Sequence, residues 1–146
     1  MFRHEAKDPE AYRLRLGAFI ADVSPAMTFA PFLHQRGTFI IPTGSDAPIP
    51  KSTRGITFGA STCIAGISIF DGQPYIFHYD QPMSHRPLRL ITGAEVGLIG
   101  GHTTLFFGQE EQTKLQKFVY LGHGTLSLMA HHDSRHHLTI RYMISP

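Results

Sequence analysis

One thiol and ten imidazoles are the groups in this 146-residue chain best suited to chemistry. The thiol, Cys63, lies in GITFGASTCIAGISIFDGQPYIFHYD, residues 55–80. Small residues lead into it, an apolar run follows it, and His78 comes fifteen positions later. A thiolate is a strong nucleophile, and a neighbouring imidazole can hold its proton and hand it to a leaving group. The approach TFGAST supplies small residues whose main-chain N–H groups, around Ser61 and Thr62, could cradle an oxyanion beside the thiol. Each residue also has a structural reading. A lone cysteine at a strand start is commonly a small buried hydrophobe, and a strand histidine a hydrogen-bonded core group.

Spacing tests whether thiol and imidazole can meet. CIAGISIF and PYIFHYD are β-branched and aromatic runs flanking Asp71-Gly72, a strong hairpin-turn signal. In a hairpin with an even-numbered loop, paired residue numbers add to an odd total, and Cys63 with His78 meets that condition. Both side chains therefore belong on one face. A two-residue turn sets His78 opposite Ala65 and puts Cys63 one same-face step further, about 7 Å along the strand. A bend where the Gly/Ser/Thr segment enters would close that offset. Asp80 shares the face and is a candidate to orient the imidazole, its structural reading being a solvated strand end.

TFGASTC resembles the Thr-Leu-Gly-x-Gly-Ser-Cys approach of the CheD family of chemoreceptor glutamine deamidases. There the cysteine opens an apolar strand and a histidine follows an intervening turn. The same Cys–His logic is found in the catalytic domains of cytotoxic necrotizing factor toxins and related bacterial deamidase effectors, and the spacing of fifteen is closer to the toxin pattern. Carried over, Thr57 matches the family's threonine, Gly59 its glycine two positions on, Cys63 its nucleophile and His78 its base. Ser61 and Thr62 depart from the family's Gly-Ser. The resemblance covers about 25 residues. It implies a cysteine-dependent protein-glutamine deamidase needing no cofactor, with Thr57 orienting the imidazole through its hydroxyl. The substrate would be a protein presenting an exposed glutamine, and the enzyme could be a stand-alone regulator or a bacterial effector or toxin domain. Transglutamination, which shares the acyl-enzyme, is the alternative acyl transfer.

A non-enzymatic alternative is a β-rich binding module carrying a metal at AHHDSRHH. There His131, His132, His136 and His137 surround an expected turn. Four imidazoles in seven residues could hold Zn²⁺ or Cu²⁺. The spacing matches no familiar zinc motif, however, and adjacent strand histidines point to opposite faces, so we assign no metal. TGAEVGLIGG lacks the phosphate-cradling order Gly-x-x-x-x-Gly-Lys-Ser/Thr. Phe106, Phe107, Phe118 and Tyr120 lack interleaved basic residues and read as core.

The elements that must position these groups come from pattern and composition. With 42% hydrophobic and 16% charged residues the chain suits a folded globule. Its net charge of +2 is scattered, which argues against a nucleic-acid partner. No apolar stretch approaches the roughly 18 residues of a membrane span, and MFRHEAKDPEAY lacks a signal-peptide apolar region. A single cysteine excludes an intramolecular disulfide framework, which leaves the redox compartment open with the cytoplasm as the default working site. The resemblance to toxins and effectors adds a target cell's cytoplasm after secretion. We expect one α+β domain over 1–146: β-rich, with mixed sheets or a sandwich and a few short flanking helices. DPEAYRLRLGAF reads as a helix with Asp8 as cap, Pro9 at the first position and Gly17 as stop. GQEEQTKLQKF reads as a surface helical turn. SPAMTFAPFLHQRG is irregular and GTFII a strand. PTGSDAPIPKSTRG reads as a 14-residue loop rimming the site, and PMSHRPL as another. RLITGAEVGLIGGHTTLFF is either strand–turn–strand or includes a short buried helix. GTLSLMAHH and HHLTIRYMI form a second hairpin around Asp133-Ser134-Arg135.

Overall fold

The structure is a computed structural model that describes residues 4–5, 11–80, 88–103 and 115–146. Its strands are β1 (His4–Glu5), β2 (Tyr12–Leu16), β3 (Phe19–Pro25), β4 (Thr38–Ile40), β5 (Ser45–Pro48), β6 (Thr53–Ala60), β7 (Cys63–Phe70), β8 (Gln73–Asp80), β9 (Val96–Gly101), β10 (Phe118–Tyr120), β11 (Thr125–His132) and β12 (His137–Ser145). They form two mixed six-stranded sheets, β1-β10-β9-β7-β8-β5 and β2-β3-β12-β11-β6-β4. The fold is thus β-rich, as composition and pattern indicate. Helix is scarcer than an α+β label suggests. Among the described residues it amounts to α1 (Arg89–Thr92) and short 3₁₀ turns such as Ala30–Phe32.

The two sheets face each other across a shared core. Leu16, Phe19, Ala21, Val23, Leu128 and Ile140 from one sheet meet Ala65, Ile67, Ile76 and Leu98 from the other. The outer face of the β7–β8–β9 region packs Phe77, Ile99 and Phe118 under Leu90 and Ile91 of α1. Gly66 and Gly97 sit where neighbouring strands leave no space for a side chain. A Cβ on Gly66 would lie 2.2 Å from the Leu98 carbonyl and 2.5 Å from the Phe77 ring. A side chain there would have no room, which accounts for glycine inside a central strand.

Two expectations are corrected here. The segment expected as a helix from Asp8 holds strand β2 over Tyr12–Leu16, paired with β3, and Gly17 at φ 61 turns the chain between them. Tyr12, Leu14 and Leu16 pack on the core while Arg13 and Arg15 are exposed. This alternation has period two, and it overrides the capping signals. In the expected loop 42–55, Ser45–Pro48 adds to the edge of its sheet beside β8, and Thr53 begins β6. Proline is tolerated at such an edge because the missing N–H faces away from the ladder. The segment before β9 takes the helical alternative, as α1, and the β11–β12 hairpin forms around Asp133–Arg135 as expected. Most of PMSHRPL and of GQEEQTKLQKF lies outside the described residues, as do Phe106 and Phe107. No helix among the described residues is long and apolar enough to cross a membrane.

Candidate active site

The site begins with the turn. Asp71 and Gly72 both have positive φ, 51° and 72°, as a two-residue type I′ hairpin requires. This fixes the register: Phe70 faces Gln73, Ala65 faces His78 and Cys63 faces Asp80. Counting outward from the hydrogen-bonded pair at the turn, Ala65/His78 and Cys63/Asp80 fall at non-hydrogen-bonded positions, where side chains stand closest. Cys63 and His78 are therefore diagonal neighbours on one face, on the order of 7 Å apart. That face is the sandwich interior, since Cys63, Ala65, Ile67 and Ile76 belong to the shared core.

Thr57 reaches the same interior from the opposite sheet. Along β6 the pairing with β11 slips, so that Leu128 faces Thr57 and Leu126 faces Ala60. Three residues of β6 span what two of β11 span, a β-bulge. Gly59 takes the left-handed backbone this needs, φ 67°, and its N–H donates to Ser127 Oγ at 3.1 Å. The bulge lets Thr57 and Ala60, which strict alternation would set on opposite faces, both be fully buried. Phe58 and Gly59 are left exposed. Ser61 and Thr62 then carry the chain from one sheet to the other as an exposed turn, and Cys63 opens β7 immediately behind it.

His78 is fully buried and its ring is held at both nitrogens. Nδ1 lies 2.7 Å from Thr57 Oγ1, and Nε2 lies 3.4 Å from Thr43 Oγ1. The Thr57 hydroxyl also donates to the Ile41 carbonyl at 3.0 Å. A carbonyl can only accept and a hydroxyl has one proton, so the arrangement that satisfies all three groups has Nδ1–H donating to Thr57. Nε2 then carries the lone pair. Burial pushes the His78 pKa below its ordinary value, partly offset by the charge of Asp80, so the imidazole is neutral near pH 7.

Cys63 is also buried, and burial pushes its thiol above the ordinary range, with Thr62 hydrogen bonding opposing the shift and the Asp80 charge adding to it. The resting pair is a thiol and a neutral imidazole. Among the described residues no hydrogen bond joins them. On its other side Cys63 is held by the residue that follows β9: the His102 N–H donates to the Cys63 carbonyl at 3.0 Å. Gly101 makes this close approach possible, because a Cβ there would sit 2.5 Å from the same carbonyl.

Of the residues singled out in the sequence, Cys63, His78 and Thr57 are thus brought to one interior region, with Ser61 and Thr62 at its exposed rim. Asp80 does not orient the imidazole. Thr57 occupies Nδ1, and Asp80 stands opposite Cys63, half-buried. Sequence reasoning missed Thr43 and the Ile41 carbonyl, which come from the connection between β4 and β5. Thr43 lies in the proline-rich stretch read as a loop facing the site, and Ile41 ends the run GTFII read as a strand.

The histidine turn does not assemble. His132 points inward and is hydrogen-bonded through Nδ1 to the Ile49 carbonyl at 2.7 Å. His131 is half-buried on the strand's other face, and His137 pairs with Asp22 at 2.6 Å. His136 has left-handed backbone, φ 58°, and lies against the Phe19 ring. Among the described residues no group of three or more His, Cys, Asp or Glu is placed to hold a metal. No protein-family model and no curated protein sequence matches the chain.

Proposed function

We propose that this protein is a cysteine-dependent protein-glutamine deamidase, with Cys63 as nucleophile and His78 as base. The observation that carries the reading is the short Thr57–His78 contact. A threonine from one sheet pins Nδ1 of a buried histidine from the other and places the ring's lone pair on Nε2. A core histidine needs only satisfied nitrogens; one committed to a single tautomer, a diagonal step from the chain's one thiol, is set up as a base. The resemblance of TFGASTC to the deamidase approach points to the same three residues.

In this mechanism a substrate glutamine enters at the Ser61–Thr62 turn, and its binding closes the gap between thiol and imidazole. His78 Nε2 takes the thiol proton while sulfur adds to the carboxamide carbon. Main-chain N–H groups around residues 61–63 stabilise the resulting oxyanion. The C–N bond breaks, ammonia departs with the proton from Nε2, and a thioester remains. Water then adds to the thioester as Nε2 accepts its proton, and collapse releases a glutamate side chain and the thiol. The nucleophile must stay reduced, which suits a cytoplasm, the cell's own or a target cell's.

The test is the alkylation rate of the single thiol by iodoacetamide in the folded protein across pH 6–10, in the wild type and in His78→Gln. We expect slow alkylation with a component that follows His78 ionisation and vanishes in the variant. Identical profiles, or alkylation only on unfolding, would make Cys63 a core residue and end the deamidase reading.

A further inference from the structure

His78 is sealed from solvent, yet a base must receive and give up a proton at Nε2 in every cycle. The segment from Ile41 to Gly44, which carries the chain from β4 in one sheet to β5 in the other, holds the histidine at three points. The Ile41 carbonyl fixes the Thr57 hydroxyl, Thr43 Oγ1 lies 3.4 Å from Nε2, and the Gly44 N–H donates to the His78 carbonyl at 2.7 Å. Gly44 takes φ 86°, and Ser45 Oγ closes the turn onto the Pro42 carbonyl at 2.7 Å. Thr43 itself is exposed, so its hydroxyl stands between a buried nitrogen and water.

The two threonines on the ring are not equivalent. The Thr57 proton is committed to Ile41, so Thr57 can only accept. The Thr43 hydroxyl has no such commitment: it can donate to the Nε2 lone pair or, turned, accept from a protonated Nε2. We propose that Thr43 is the positioning residue of His78, whose hydroxyl partners Nε2 in both protonation states and links it to solvent. Its catalytic meaning rests on the deamidase reading; the contact itself does not.

The experiment is a ¹⁵N NMR titration of the His78 side chain in the full chain, comparing wild type, Thr43→Val and Thr43→Ser. Valine keeps the shape and removes the hydroxyl. The imidazolium then has no acceptor at Nε2, and because a charge-assisted hydrogen bond is the stronger of the two, the charged form loses more. His78 therefore titrates at lower pH in Thr43→Val, its Nε2 resonance moves in the neutral form, and Thr43→Ser restores both. Asp80, the charge acting on His78, is unchanged in all three. A Thr43→Val titration superimposable on the wild type overturns the proposal. Iodoacetamide alkylation of Cys63 in the same samples separates the two ideas. A His78 shift with alkylation indifferent to His78 would keep Thr43 as its partner and remove only the deamidase reading.

Discussion

Replacing Thr57 with valine tests the geometry most directly. Valine is nearly isosteric with threonine, so the packing between the sheets survives and the hydroxyl alone is lost. That hydroxyl serves two buried groups, His78 Nδ1 at 2.7 Å and the Ile41 carbonyl at 3.0 Å. Leaving a buried polar group unpaired costs about 1–3 kcal/mol. The imidazole can reduce its share by moving its proton to Nε2, where Thr43 can accept it. The expected net loss is about 2–3 kcal/mol, a sizeable part of the 5–15 kcal/mol that holds a typical domain folded. Thr57→Ser keeps the hydroxyl and removes one buried methyl, worth about 0.8 kcal/mol. Urea denaturation of the three proteins at pH 7.5 gives the free energies, and ¹⁵N NMR gives the tautomer. Valine should cost at least about 1 kcal/mol more than serine, and only valine should switch His78 to the Nε2–H form. Equal losses, or an unchanged tautomer in Thr57→Val, would refute the argument that Thr57 fixes the ring.

Two further perturbations probe the same framework. Burial holds the folded-state pKa of His78, and of His131, below 6.5, so the unfolded chain binds more protons in the interval just beneath that value. Between about pH 7 and 8 stability should therefore be level, and it should fall as pH drops below about 6.5. His78→Gln should flatten part of that fall in urea midpoints measured between pH 7.5 and 5, and an unaltered slope would contradict a neutral buried His78. Gly66→Ala should destabilise by about 3 kcal/mol or more, because the new methyl would meet the Leu98 carbonyl at 2.2 Å. Gly72→Ala, at φ 72° with nothing within 4 Å, should cost only about 1–2 kcal/mol. Thermal melts of the pair that coincide would remove the close-packing account of Gly66.

The parts of the site legible in the sequence are those that local rules determine. Asp71-Gly72 between two β-branched runs dictates a tight turn, and the turn dictates that Cys63 and His78 share a face. That step needs only the two-residue period of a strand. Thr57 is a different case. It reaches His78 from the opposite sheet, through a bulge at Gly59, and no periodicity within β6 announces the contact. It was suggested only by the likeness of TFGASTC to the deamidase approach. Tyr12–Leu16 shows local signals in conflict, where Asp8, Pro9 and Gly17 look like helix punctuation but the alternation of apolar residues with Arg13 and Arg15 decides the structure. Thr43 was illegible because its contact depends on the path by which residues 41–44 cross between the sheets. Sheet membership is set by non-local pairings such as β5 with β8 and β12 with β3, which bring together segments far apart in the chain. The hairpin therefore places Cys63 and His78 on one face from local sequence, while the hydrogen-bond partners that set the ring's tautomer come from the sandwich as a whole. A graft of residues 55–80 onto another scaffold would carry Cys63, His78 and Thr57, but not the Ile41 carbonyl that commits Thr57 to accepting.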